Sequence, residues 1–313
     1  MALALPAPDT LPSNASERVL GRGAVAVTPA LLRSWPLDGA SGSKDARGAV
    51  LVVGGARSTP GAAMLAGLAA LRVGAGRLTL AVGGSVATAV GVAVPECAAL
   101  ALPETDAGLL TDNGVATLGP ELERASTVLV GPGLDGADET RALLTALLPR
   151  IGDDTSVVLD AFALGVLAEL PEAVREPLRG RLVLTPNSGE AARLLPLDPA
   201  SADVGDLGLA AARIADRHGA VVTLRGEIAT PDGAAWQSST GSDGLATSGS
   251  GDVLAGAVAG VLAGGGDLAQ AACWGTHLHG AAGDRLAAHV GHRGYLAREL
   301  LDELPLVLTE LLA

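Results

Sequence analysis

The stretch Thr247-Ser248-Gly249-Ser250-Gly251-Asp252 runs directly into the apolar-periodic segment 253–263. A glycine-rich turn feeding a helix leaves several backbone N–H groups unpaired at the positive end of the helix dipole, a ready anion site. Asp252 stands at the mouth of that helix, where a carboxylate can act as base on a hydroxyl beside a docked phosphate. Asp is also a preferred N-cap, so capping and catalysis stand side by side as readings of this residue. A second cluster is Thr185-Pro186-Asn187-Ser188-Gly189-Glu190. Asn187 and Glu190 are one helical turn apart and could order Mg²⁺ with its waters. The competing reading is a helix cap with Glu190 in the first turn, and spacing alone favours it.

Glycines mark two further places, Gly54-Gly55 and Gly131-Pro132-Gly133-Leu134, each directly after an apolar run. They allow a tight turn or a close approach of backbone to a ligand. No G-x-G-x-x-G begins at the Gly54-Gly55 turn and G-x-x-x-x-G-K-[ST] is missing from the chain, which argues against a Rossmann-type dinucleotide fingerprint after that first run and against a P-loop. Arg225 closes another apolar run and could meet a phosphate or pair with Glu227. His277 and His279 are two apart, so they face different sides of a helix and make no metal pair. They read as histidines of a core or surface.

These motifs need a scaffold that delivers them to one place. Apolar runs at 49–53, 78–82, 127–130, 157–159, 182–184 and 221–224 are nearly continuous Val and Leu, as in parallel strands covered on both faces. Helical segments at 62–73, 139–148, 163–170, 190–195 and 207–218 separate most of them, the pattern of βαβ units. In such sheets ligands bind at the carboxyl ends of the strands, which is where the motifs fall. Residues 228–230 and 234–237 flank Pro231-Asp232-Gly233 and predict an antiparallel hairpin. Helices at 252–263, 268–288 and 295–312 complete the chain. The expected fold is α/β, with a mostly parallel central sheet flanked by helices, a late β-hairpin and C-terminal helices. Residues 1–43, rich in Pro, Ser and Gly, read as an N-terminal arm: loose over 1–23, a short helix at 29–34, a loop at 39–44. Residues 44–313 read as one domain.

Composition narrows the partners. Of 313 residues, 49% are hydrophobic and 18% charged, enough for a large core and against global disorder. The net charge of −13 repels phosphate backbones and anionic lipid, so nucleic acid and membrane surfaces are poor partners. An anionic ligand must be held by backbone N–H groups or a few placed cations. Aromatics at 2% leave no stacking platform for single-stranded nucleic acid. Cys97 and Cys273 form no CxxC, which fits a reducing cytoplasm rather than a disulfide framework. Mean hydropathy is +0.40, yet the longest apolar candidate, 253–263, falls short of the roughly 20 residues of a membrane span. No secretory signal pattern opens the chain.

Taken in order, the motifs resemble the ADP/ATP-dependent NAD(P)H-hydrate dehydratases, a branch of the ribokinase-like superfamily. The resemblance rests on GAVLVVGG at 48–55, Thr59-Pro60-Gly61-Ala62, AALRVGAG at 69–76, GPGL at 131–134, TPNSGEAARLL at 185–195 and GLATSGSGDVLAG at 244–256. His279-Gly280-Ala281-Ala282-Gly283-Asp284 and Gly294-Tyr295-Leu296-Ala297 extend it to nearly the whole chain. It implies repair of hydrated NADH or NADPH, S epimer, in two stages. A phosphoryl group from ADP, or ATP, goes to the ring hydroxyl; elimination of phosphate then restores the double bond. Hydroxide is a poor leaving group and phosphate a good one. The resemblance assigns Asp252 as base and substrate contact, and Gly251 to the anion hole. It gives Ala62, Gly133 and Asn187 to the hydrated nucleotide, and Arg225, Gly226, Glu227, Ile228 and Ala229 to the adenine nucleotide. Glu190 would serve Mg²⁺, directly or through water, and the assembly would be a cytoplasmic homotetramer.

Three positions depart from the family pattern. Asn187-Ser188 stand where His-Pro is usual, Phe162 where Asp is usual, and Arg225 where Lys is usual. The resulting Asn-x-x-Glu resembles the sugar and vitamin kinases of the same superfamily, so an ATP-dependent kinase of a hydroxymethyl-bearing metabolite is the first alternative. A non-catalytic relative that binds an adenine nucleotide is the second.

Overall fold

The computed structural model describes residues 23–37, 43–195 and 204–313. The expectations for residues 1–22 and for 39–42 of the loop lie outside the described residues. One ten-stranded sheet organises the rest. Its strands are β1 (Val25–Val27), β2 (Ala49–Val53), β3 (Arg77–Gly83), β4 (Cys97–Leu102), β5 (Thr127–Val130), β6 (Ser156–Leu159), β7 (Leu182–Leu184), β8 (Val221–Leu224), β9 (Glu227–Ala229) and β10 (Ala235–Ser238). In space they run β1-β10-β9-β8-β7-β6-β5-β2-β3-β4. Only β9 lies antiparallel to its neighbours, β8 and β10; every other pair is parallel.

The near-continuous apolar runs are explained by two covered faces. Val50 and Val52 belong to one hydrophobic cluster, Leu51 and Val53 to the other, because successive side chains alternate across a strand. The first cluster is roofed by α1 (Pro29–Ser34), α2 (Pro60–Arg72), α3 (Ala87–Ala93), α10 (Ser250–Ala263), α11 (Leu268–His289) and α12 (Ala297–Leu312). The second is roofed by α4 (Gly119–Arg124), α5 (Ala137–Leu147), α6 (Phe162–Leu167), α7 (Glu172–Arg175), α8 (Ser188–Leu194) and α9 (Leu207–His218).

With so few aromatics, layers approach through glycine and alanine. A Cβ on Gly256 of α10 would collide with the Ala66 carbonyl oxygen of α2, and one on Gly260 would lie 2.5 Å from the Ala70 carbonyl oxygen. The two helices therefore run parallel and in register, Gly256 against Ala66 and Gly260 against Ala70. Both begin at the carboxyl edge of the sheet.

The six expected strands, the late hairpin and the C-terminal helices are all present, with ends moved by one or two residues. β1, β4, α3, α4 and α7 were not expected. β1 is three residues long and gains its identity only by pairing with β10. β4, Cys-Ala-Ala-Leu-Ala-Leu, lacks the Val-rich signature and lies at the sheet edge. A second hairpin also escaped the pattern: β8 and β9 are joined by Arg225-Gly226 alone, with φ +50° and +92°, the two positive values that a tight hairpin turn demands.

The described part of the N-terminal arm is docked. Trp274 Nε1 and Gln270 Nε2 of α11 donate to the Trp35 carbonyl oxygen at 2.9 and 3.1 Å, and the Trp35 ring lies 6.0 Å from that of Trp236. Leu32 of α1 is fully buried. Since these are the chain's three tryptophans, removal of residues 1–43 should shift the tryptophan emission to the red and lower Tm by about 5 °C or more. Unchanged emission and Tm would contradict this docking.

Candidate active site

At the carboxyl edge, β2 is the point where the chain's order in the sheet reverses: β3 and β4 lie on one side of it, β5 to β8 on the other. The crevice outside such a switch point is the usual ligand site of an open parallel sheet. Its two lips are the glycine segments after β2 and β5, and they are bonded together. Gly55 N donates to the Pro132 carbonyl oxygen at 2.8 Å, and Ala56 N to that of Gly133 at 2.7 Å. The Thr59 hydroxyl adds a bond of 2.9 Å to the Gly133 carbonyl oxygen. Gly133 sits at φ +70°, and a Cβ there would collide with the Thr59 carbonyl oxygen and come within 3.1 Å of Ala62 Cβ. Ala62 and Gly133, paired by resemblance, are therefore neighbours, and no larger residue fits at 133.

Across from them is the start of α10. Gly249, at φ +89°, is the N-cap residue, and no side chain caps this helix. Asp252 is the third residue of the first turn, so it is not the cap, and the capping reading of it is set aside. The register of Gly256 on Ala66, carried back one turn, sets Asp252 level with Ala62 of α2. Gly251 is exposed, and a Cβ there would meet no neighbouring element within 4 Å. The helix tip is thus open to a ligand, with the N–H groups of its first turn lacking intrahelical partners.

Three carboxylates feel one another here. Burial pushes Asp252 up to about 6, with the Glu190 charge adding to it. Glu190 is raised by burial, against the lowering effect of the Asn187 backbone N–H. Asp160, at the end of β6 and 3% exposed, is held well above the ordinary carboxylate range by burial, and the charges of Asp252 and Glu190 push the same way. The Thr185 hydroxyl donates to Asp160 Oδ1 at 2.6 Å and opposes that rise. Desolvation and like charge together raise Asp160 and bring Asp252 into the range where a general base works at neutral pH.

Asn187 and Glu190 form the capping box that their spacing favoured. Asn187 Oδ1 accepts from Glu190 N at 3.0 Å, and Glu190 Oε2 accepts from Asn187 N at 2.9 Å. Phe162 packs against the second hydrophobic cluster. The 225–229 segment divides. Arg225 is exposed in the hairpin turn and Gly226 is beside it, while the Glu227 carboxylate accepts from Gln237 Nε2 at 2.7 Å. Ile228 and Ala229 are buried in β9, whose backbone is bonded on both sides. The structure therefore does not bring those two side chains to any ligand surface, because both face the interior from a strand paired on each side.

Asp160, Thr185, Ser250 and His279 escaped as site residues. The apolar strand before Asp160 and Thr185 was the available signal, since both sit one residue past a parallel strand. His277 and His279 are buried, as the core reading had it, but His279 Nε2 meets the Ser250 hydroxyl at 2.9 Å.

The family model for NAD(P)H-hydrate dehydratase matches residues 50–306. An ADP-dependent (S)-NAD(P)H-hydrate dehydratase of Xanthomonas campestris is 41% identical over 288 residues, covering 91% of this chain and 96% of that protein. The chain spans about half the length of the bifunctional NAD(P)H-hydrate repair enzymes that also match. Among solved structures, the ADP/ATP-dependent NAD(P)H-hydrate dehydratase of Bacillus subtilis, co-crystallised with ATP and Mg²⁺, superposes with a TM-score of 0.71 at 26% identity, covering 93% of this chain and 99% of that one. A ribokinase-like superfamily protein of Enterococcus faecalis, at 22% identity and a TM-score of 0.75 over 93% of this chain and 97% of its own, shares the fold. This chain belongs to the NAD(P)H-hydrate dehydratase family, on a ribokinase-like α/β scaffold.

Proposed function

We propose that this chain is an ADP-dependent (S)-NAD(P)H-hydrate dehydratase, a lyase that returns hydrated NADH or NADPH to the reduced dinucleotide. The observation that carries the reading is the open tip of α10 at the switch-point crevice, with Asp252 poised near neutrality. The hydrated ring lies against the surface that Ala62 and Gly133 line together, with Asn187 at the rim. Asp252 takes the proton of the ring hydroxyl as its oxygen attacks the terminal phosphorus of ADP, and AMP leaves. Expulsion of the new phosphate, with loss of a proton from the adjacent ring carbon, restores the double bond. Gly251 N–H and the positive end of α10 stabilise negative charge that builds on the phosphoryl oxygens. The exposed turn Arg225-Gly226 and the Glu227 side chain border the nucleotide.

Mg²⁺ belongs to the same proposal. Among the described residues no three His, Cys, Asp or Glu side chains converge as a cage, and one Glu190 oxygen is occupied by the Asn187 N–H. Such a donor set suits an ion that keeps its waters, touches Glu190 through one of them and otherwise rests on nucleotide phosphates. When bound it neutralises charge on the transferring group.

A catalytic unit over 44–313 with an appended arm over 1–43 is part of the reading, as is a homo-oligomer, with a tetramer expected. What supports association is the charge-poor sheet edge, where β4 and the 79%-exposed Val92 of α3 offer a surface a second copy could cover. A cytoplasmic setting is supported by the two free cysteines. No helix among the described residues is long and apolar enough to cross a membrane.

The direct assay supplies hydrated NADH, Mg²⁺ and ADP and follows the absorbance band of the reduced nicotinamide. Recovery of that band is expected. Nucleotide turnover on a sugar or vitamin alcohol without it would instead establish the kinase alternative, and saturable nucleotide binding with neither would establish the non-catalytic one. The rate should rise with pH through about 6, as Asp252 ionises, and then level; a rate independent of pH from about 5 to 7 would contradict the base assignment. Asp252→Asn should abolish turnover. Because the folded pKa is raised, ionising Asp252 lowers stability as pH climbs through about 6, so the variant should keep or raise Tm at pH 7. Retained turnover with a Tm several degrees lower would make Asp252 a structural residue.

A further inference from the structure

The first turn of α10 is held from behind by one polar contact. Ser250, the first helical residue, is 4% exposed, and its hydroxyl points away from the crevice toward His279 Nε2 on α11, 2.9 Å off. Burial holds the His279 imidazole down to about 4, so the ring is neutral and the contact is an ordinary hydrogen bond rather than an ion pair. Burying a hydroxyl and an imidazole away from water is costly unless each satisfies the other.

The surroundings show why a polar bond sits here. Elsewhere α10 meets its neighbours through small apolar contacts. Gly256 and Gly260 lie on α2, and a Cβ on Gly275 of α11 would lie 2.6 Å from Val258 Cγ2. Gly249 is seated between Leu65 of α2 and Ala297 of α12. Contacts of this kind set the distance between helices, yet they are nearly indifferent to a small slide or rotation. A hydrogen bond of fixed length and direction is not. Ser250 is directly followed by Gly251 and Asp252, so whatever fixes Ser250 fixes the anion-binding N–H and the base.

We propose that His279 is a positioning residue for phosphoryl transfer, acting through Ser250 to hold the Gly251 N–H and the Asp252 carboxylate in line with the substrate crevice. The inference rests on the dehydratase reading above. Displacing donors that are preorganised around a transferring group by even about 1 Å costs up to about 100-fold in rate. Ground-state affinity for the nucleotide, which has contacts away from this turn, depends on the pair far less.

The test compares Ser250→Ala, His279→Leu and His279→Gln with wild type in the dehydration assay, with the folded fraction measured by circular dichroism and melting. Ser250→Ala and His279→Leu should lower kcat per folded enzyme about 10- to 100-fold while the KM for ADP changes less than about twofold. His279→Gln, whose amide reaches close to the Nε2 position, should recover part of the loss. The double variant should be no worse than His279→Leu alone, as expected of partners in one interaction. If His279→Leu does not fold, Ser250→Ala and His279→Gln decide the question. A lower Tm with kcat unchanged would make the pair purely structural and overturn the proposal, as would losses that multiply in the double variant. If wild type shows no dehydration at all, the function reading falls and this inference with it; wild-type activity with fully active variants sinks this inference alone.

Discussion

The close contact between α2 and α10 governs the rest of the structure. Glycines at 256 and 260 let the two helix backbones meet with no side chain between them, in parallel and in register. Both helices therefore begin at the same edge of the sheet. From that one constraint follows the pairing of Ala62, at the start of α2, with Asp252, at the start of α10. The bonded glycine segments after β2 and β5 then close the crevice from the other side. A bulkier pair of helices would separate Asp252 from Ala62. The scarcity of aromatic side chains is the compositional trace of the same requirement.

The electrostatics follow from this placement. A chain of net charge −13 that handles phosphates cannot draw them in with its overall field. A local source of positive potential is present instead in the unpaired N–H groups and dipole at the tip of α10. Close by, burial raises Asp160, which accepts a hydrogen bond from the Thr185 hydroxyl, while Glu190 is tied to its own helix cap. Burial raises all three carboxylates, and Asp252, brought to about 6, stands at the open tip of α10. A water-bearing Mg²⁺ would relieve the repulsion that remains.

Much of this could be read from residue order. The Val and Leu runs located the interior strands because burial on two faces leaves no room for polar alternation. The glycines at 131, 133, 249 and 251 marked the ligand edge because each follows a strand or opens a helix. What escaped depended on partners distant in sequence. β1 exists only against β10, and β4 only as the edge beside β3. The bond from Thr185 to Asp160 and that from Ser250 to His279 join segments 25 and 29 residues apart, and no local spacing announces them. The 225–229 segment misled for the opposite reason. The resemblance gave it to the adenine nucleotide, whereas the Ile228 and Ala229 side chains are both buried in a strand paired on each side.

The location of the terminal phosphate of ADP in a crystal of this protein grown with ADP and Mg²⁺ is the decisive measurement. That phosphate should lie within about 3 Å of the Gly251 N–H, with the Asp252 carboxylate facing the crevice beside Ala62 and Gly133. A phosphate seated elsewhere, with the tip of α10 bare, would contradict it.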